Sequence, residues 1–150
     1  MGCGTGTLTV LLAHAGFRVH GIDLAPRMVM AAQAKLAAAG VQASVSVADA
    51  SEPPRAAEAY DVVMSRHLLW ALPDPGRALR NWVRLLRPGG RLLLIEGRWH
   101  TGGGLPAAET TELVRPWVTS VDVEPLADPQ LWGGPIGDER YVVVGTGPSM

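Results

Sequence analysis

Apolar positions change their period several times along this 150-residue chain, and each change marks an element. Leu8, Leu11 and Leu12 recur at helical spacing, and Gly16 ends that helix. Phe17 to Asp23 reads as a strand, with Phe17, Val19 and Ile22 apolar between Gly16 and Pro26. An alanine-rich helix starts at Pro26, runs through Met28, Ala32, Lys35 and Leu36, and stops at Gly40. Val41 to Val47 alternates as a strand should, and Ala48 to Ala59 is polar, proline-containing loop. Tyr60 to Ser65 is the next strand, with Val62, Val63 and Met64 expected to be buried on both faces. Asp74-Pro75 caps a helix whose stripe is Leu79, Trp82, Val83 and Leu86. Pro88-Gly89-Gly90 predicts a tight turn, and the run Leu92-Leu93-Leu94-Ile95 within Arg91 to Glu96 predicts a central strand. Gly102 to Gly104 reads as a flexible connection before a helix from about Pro106 to Val114, closed off by Pro116. Val118 to Val123 and Tyr141 to Val144 are late strands around a loop at Trp132 to Asp138. Strand and helix alternate, which predicts an α/β fold with a mostly parallel sheet.

Composition narrows the possibilities. The chain is 47% hydrophobic and 18% charged with net charge −1, which suits one soluble domain with its own core. That balance excludes collagen-like and highly charged disordered chains, and it argues against a nucleic-acid partner, which needs clustered positive charge. The one cysteine, Cys3, leaves no intramolecular disulfide and no zinc spacing. No apolar run approaches the roughly 20 residues that span a bilayer, and no signal segment opens the chain. The expectation is a cytoplasmic protein without a membrane or metal; its oligomeric state is not read.

Gly2-x-Gly4-x-Gly6 opens a helix, where backbone N–H groups and the positive helix end meet a ligand closely. A plain tight loop satisfies the glycines equally well. Asp23 ends the following strand beside that loop, where its carboxylate accepts ribose hydroxyls or caps the next helix. Asp49, after the third strand position, takes an adenine amine or closes its own loop. In order, Gly2-Cys3-Gly4-Thr5-Gly6, Asp23-Leu24-Ala25-Pro26-Arg27-Met28, Ala48-Asp49-Ala50, Tyr60-Asp61-Val62-Val63 and Leu85-Leu86-Arg87-Pro88-Gly89-Gly90-Arg91-Leu92 resemble class I S-adenosylmethionine-dependent methyltransferases, closest to the ubiquinone/menaquinone-methyltransferase-like branch. The resemblance covers Met1 to about Glu96 and is looser in the tail. It implies a Rossmann-like sheet with helices on both faces, S-adenosyl-L-methionine as cofactor and a small-molecule acceptor. Gly2, Gly4 and Gly6 would pass the methionine part, Asp23 would hold the ribose, and Leu24 and Met28 would flank the adenine. Asp49 with Ala50 would bind the amine edge, and Ser65 and Arg66 would border the methionine moiety. An NAD-binding oxidoreductase fits less well, because its fingerprint wants a third glycine where Thr7 stands.

Methyl transfer from a sulfonium needs alignment in a dry pocket more than covalent help. A base is required only for a protonated acceptor, and His67 is the candidate, with a loop-bonding role as its alternative. Trp70 stacks on a substrate or anchors the following helix. Trp99 and His100 edge an acceptor pocket or lie in solvent, and Trp117 and Trp132 form a substrate wall or plain packing. Trp82 reads as core, His14 and His20 as structural, and Cys3 as a small loop residue without a nucleophilic role. The family's first strand and N-terminal cap have no counterpart, since only Met1 precedes Gly2. The resemblance therefore implies a domain truncated within its cofactor turn, with an inactive cofactor- or partner-binding remnant as the alternative.

Overall fold

The computed structural model describes residues 1–54 and 57–147. The chain divides into two compact units, Met1–Pro54 and Arg55–Met150. Of the loop expected over 48–59, residues 55 and 56 lie outside the described residues.

The first unit holds α1 (Thr7–His14), β1 (Val19–Asp23), α2 (Pro26–Ala39) and β2 (Ala43–Val47). β1 and β2 pair in parallel, from Val19 opposite Ala43 to Asp23 opposite Val47. α2 begins on Pro26, whose missing N–H costs nothing at that position, and ends on Gly40 in the left-handed region at φ +63. Its inner face supplies Val29, Ala32 and Leu36, which pack with Val45 of β2 and with Cys3 and Val10. Gly6 precedes α1 at φ +78, and a Cβ there would stand 2.9 Å from Cβ of Ala32. Glycine is needed at that position for both its backbone conformation and the close approach of the helices.

The second unit contains β3 (Tyr60–Arg66), α3 (Pro75–Arg84), β4 (Leu86–Arg98), α4 (Ala107–Val114), β5 (Ser120–Pro125) and β6 (Glu139–Thr146). Its sheet has the order β3-β4-β6-β5. β3 and β4 run parallel, whereas β6 is antiparallel to both β4 and β5. The fold is therefore α/β, with parallel pairs in both units and an antiparallel tail. Asp74 caps α3 by accepting the Arg77 amide at 2.9 Å. Of the stripe predicted for α3, Leu79 and Trp82 are fully buried and Val83 nearly so, whereas Leu86, also buried, belongs to β4 because the helix ends at Arg84. They share this core with Leu92, Leu94, Val114 and Val143.

Several local expectations are corrected. Pro88-Gly89-Gly90 lies inside β4 as a bulge, because five steps from Leu86 to Arg91 answer two from Tyr60 to Val62. Gly89 absorbs the distortion at φ +73. Val62 is 46% exposed, since β3 is an edge strand of its sheet and only Val63 of the expected trio is buried. Gly102 to Gly104 is not a loose connection: the Trp99 amide donates to the Gly103 carbonyl at 2.9 Å, and Arg98 bridges to Gly104. Pro116 does not simply stop α4, since a 3-10 turn over Arg115–Trp117 continues it. Among the described residues no helix is long and apolar enough to cross a membrane.

Candidate functional site

The first unit gathers the glycine loop, Asp23 and the residues after β2. Gly2, Gly4 and Gly6 are all left-handed, at φ +64, +52 and +78. The Cys3 amide donates to the Ile22 carbonyl at 2.8 Å, which ties the loop to β1. The Gly4 amide donates to Oδ2 of Asp23 at 2.8 Å, and the Ala25 amide donates to Oδ1 at 3.0 Å. Each carboxylate oxygen thus keeps a lone pair for a ligand hydroxyl. A Cβ on Gly4 would meet nothing within 4 Å, so the loop presents bare backbone to open space. Leu24 is 70% exposed and Met28 44%, an uncovered apolar pair on the chain just after Asp23. The Ala48 amide donates to the Asp23 carbonyl at 3.0 Å, which brings the Asp49-Ala50 segment alongside. Oδ1 of Asp49 accepts the Ser51 amide at 2.7 Å, so this carboxylate closes its own turn, while Ala50 is buried. These residues fit a nucleoside: bare backbone, a carboxylate with open lone pairs and apolar flanks. Burial pushes the Cys3 thiol pKa up, in keeping with a packing residue.

The second unit holds the other predicted residues at the end of β3. Ser65 is buried and Arg66 exposed. His67 follows with its amide donating to the Ile95 carbonyl at 2.9 Å and its backbone in the left-handed region at φ +56. That region is uncommon for residues other than glycine, although histidine enters it more readily than most, and it recurs at functional positions. Its ring centre lies 5.2 Å from that of Trp99 and 6.5 Å from that of Trp132. Trp70 meets Trp99 edge-on at 5.6 Å. The Arg140 guanidinium carbon stands 5.2 Å from the Trp99 ring centre and 5.4 Å from that of Trp132, within cation–π range of both. Burial first, then Arg66 and Arg140, holds the His67 pKa below its ordinary value, so the ring is neutral near pH 7.

Four side-chain atoms of this unit are buried without a hydrogen-bond partner among the described residues: Oγ of Ser65, Nε2 of His67, Oε2 of Glu96 and Nε of Arg140. Native interiors leave few such groups, and each one asks for a reason. Sequence reasoning missed two of these residues. Glu96 is fully buried in register with Leu92 and Leu94, and an acid at an inward position of an apolar strand was the available signal. Arg140 reaches Trp99 only through the antiparallel register that sets it opposite Gly97, for which the sequence carries no local sign. Asp138 accepts from Nη2 of Arg140 at 3.1 Å and from the His100 amide at 2.7 Å; that amide holds its carboxyl below the usual range.

The remaining candidates fall away from these clusters. Trp82 is core, and Trp117 lies in the turn after α4. His20 pairs with Ser44 at 2.6 Å and Ser46 at 3.2 Å across β1 and β2. The His100 side chain is 84% exposed, although its ring reaches Asp138.

Comparison with known proteins places the chain in a family. A methyltransferase-domain family profile matches residues 1–94. A ubiquinone biosynthesis O-methyltransferase of Xanthomonas axonopodis pv. citri is 36% identical over 63% of this chain and 40% of its own length. Its counterpart in Xanthomonas euvesicatoria pv. vesicatoria is 39% identical over the same shares. The chain thus spans about 40% of the length of the curated relatives it matches. A solved SAM-dependent methyltransferase of Methanosarcina mazei superposes with TM-score 0.76 at 21% identity, over 99% of this chain and 90% of that one. The [4+2]-cyclase SpnF superposes with TM-score 0.83 at 20% identity, over 99% and 74%. A cyclase among the neighbours means that this architecture alone does not specify a reaction. A phosphoethanolamine N-methyltransferase 2 of Haemonchus contortus, solved with S-adenosyl-L-methionine, superposes with TM-score 0.79 at 16% identity, over 99% and 47%. The family match and such complexes support S-adenosylmethionine as the cofactor. The family profile, covering more than half of the residues, establishes that the chain belongs to the methyltransferase-domain family.

Proposed function

We propose that this chain takes part in S-adenosylmethionine-dependent methyl transfer to a small-molecule acceptor. The observation that carries the reading is the left-handed glycine loop tied through the Gly4 amide to the carboxylate of Asp23. The cofactor, when bound, supplies its methyl group as an activated sulfonium. Gly2, Gly4 and Gly6 let its methionine part pass close to bare backbone, the Gly4 and Gly6 amides being already bonded to Asp23 and Cys3. Asp23 accepts the ribose hydroxyls through its remaining lone pairs, and Leu24 and Met28 cover the adenine faces. Asp49 with Ala50 takes the amine edge, while Ser65 and Arg66 border the methionine moiety. Two relatives are named as O-methyltransferases of ubiquinone biosynthesis, which supports an oxygen acceptor. A neutral His67 then takes the hydroxyl proton at Nε2, an atom buried without a partner among the described residues. The tryptophans around it exclude water from the transfer.

Calorimetric titration with S-adenosylhomocysteine tests this directly. Saturable one-site binding is expected, and Asp23→Ala should weaken it by about tenfold or more, as charge-assisted hydrogen bonds are lost. Asp23→Asn, which keeps one oxygen acceptor, should fall between the two. Equal affinity in all three proteins would remove Asp23 from the ribose role, and no binding by the parent chain would remove the proposal.

A further inference from the structure

Glu96 lies near the carboxyl end of β4, inside the sheet between β3 and β6. It is fully buried, and no cation is paired with it among the described residues. Its Oε1 accepts two backbone donors, the Leu68 amide at 3.0 Å and the Leu69 amide at 2.9 Å. Its Oε2 is buried and has no partner among the described residues. Opposite it in register stands Tyr141, whose hydroxyl donates to the Leu105 carbonyl at 2.8 Å and meets Oγ1 of Thr110 at 2.6 Å. Tyr141 therefore has its own partners and does not compensate the acid.

A carboxylate buried with half of its acceptor capacity unused is costly, and a leucine or methionine of similar size would pack there more cheaply. What its two bonds accomplish is local. Leu68 and Leu69 are where the chain, having left β3 and passed the left-handed backbone of His67, enters the 3-10 turn Leu69–Ala71. Those first amides of the turn have no carbonyl behind them to bond. Glu96 supplies the acceptor from the neighbouring strand. The turn it holds carries His67 and Trp70 toward Trp99.

We infer that Glu96 is a positioning residue, stapling the His67–Trp70 turn through the Leu68 and Leu69 amides and so fixing His67 and Trp70 against Trp99. What the turn serves rests on the proposed function; the staple itself does not.

The test compares Glu96→Leu and Glu96→Gln with the parent chain, using amide hydrogen exchange. Glu96→Leu should speed exchange at Leu68 and Leu69 by about tenfold or more, with β4–β6 ladder amides at parental rates. Glu96→Gln keeps an oxygen at Oε1 and should restore most of the lost protection. Parental exchange at Leu68 and Leu69 in Glu96→Leu would overturn the inference. So would a loss of protection spread across the whole sheet, which would make Glu96 a folding residue, or a failure of Glu96→Gln to rescue. If the parent chain binds no S-adenosylhomocysteine, the methyl-transfer proposal falls, and the exchange pattern alone decides the staple.

Discussion

At the scale of single residues, a buried acid links stability to pH in a direction opposite to the usual carboxylate. Burial raises the Glu96 pKa above 4.5, and the Leu68 and Leu69 amides only partly oppose that. The folded chain therefore holds this proton to higher pH than the unfolded chain. The stability it contributes is complete below about 4.5 and is lost as the pH rises through the folded value. Tyr141 does not offset this, because burial pushes its hydroxyl up to about 12 and it stays neutral across the range. Glu96→Gln should thus gain stability on the parent as pH rises from acid to neutral, each pKa unit between folded and unfolded forms being worth about 1.4 kcal/mol. Denaturant melts at several pH values would show it, and parallel curves for the two proteins would contradict it. The glycines and Asp23 were legible in the sequence because a left-handed loop needs bare backbone, and Asp23 ends the next strand, one helix and one strand further on, where it meets the Gly4 amide. Glu96 was not, because it stood at the end of an apolar run and read as that strand's boundary.

At the scale of elements, strong local signals decided the outcome wherever a helix or strand carried its own ends. α3 is the clearest case, with the Asp74 side chain on the Arg77 amide, Pro75 in the first turn and a continuous inner stripe. Asp74→Ala should lower stability by about 1 kcal/mol, measurable as a reduced denaturation midpoint at unchanged slope. No measurable loss would mean that the packing of Leu79 and Trp82 alone holds the helix start. Elements whose form depends on a distant partner were illegible. The Pro88-Gly89-Gly90 segment has every mark of a turn, yet pairing on both flanks draws it into β4. The Gly102–Gly104 segment looks loose, yet a Cβ on Gly104 would collide with the Gly97 carbonyl and the Trp99 ring. Glycine is what lets that hairpin close against Trp99. The tryptophan and arginine cluster has the same origin, since only the β4–β6 register brings Arg140 to Trp99.

At the scale of the whole molecule, ligand binding and stability become one measurement. A ligand that binds only the folded chain stabilises it by about 2.7 kcal/mol at a hundred times its dissociation constant. S-adenosylhomocysteine should therefore raise the melting temperature in a dose-dependent way, and the proposed function requires that shift. The outer edge of the second sheet is guarded against unwanted pairing, since β5 is mostly exposed, carries Asp122 and Glu124, and ends on Pro125. Of the five tryptophans in the sequence, Trp70, Trp99 and Trp132 gather around His67 and Arg140. Indoles that lie this near one another couple their electronic transitions, and a guanidinium beside them alters their emission. The site thus carries its own optical gauge: near-ultraviolet circular dichroism and intrinsic fluorescence will register any molecule that settles against it, without a label.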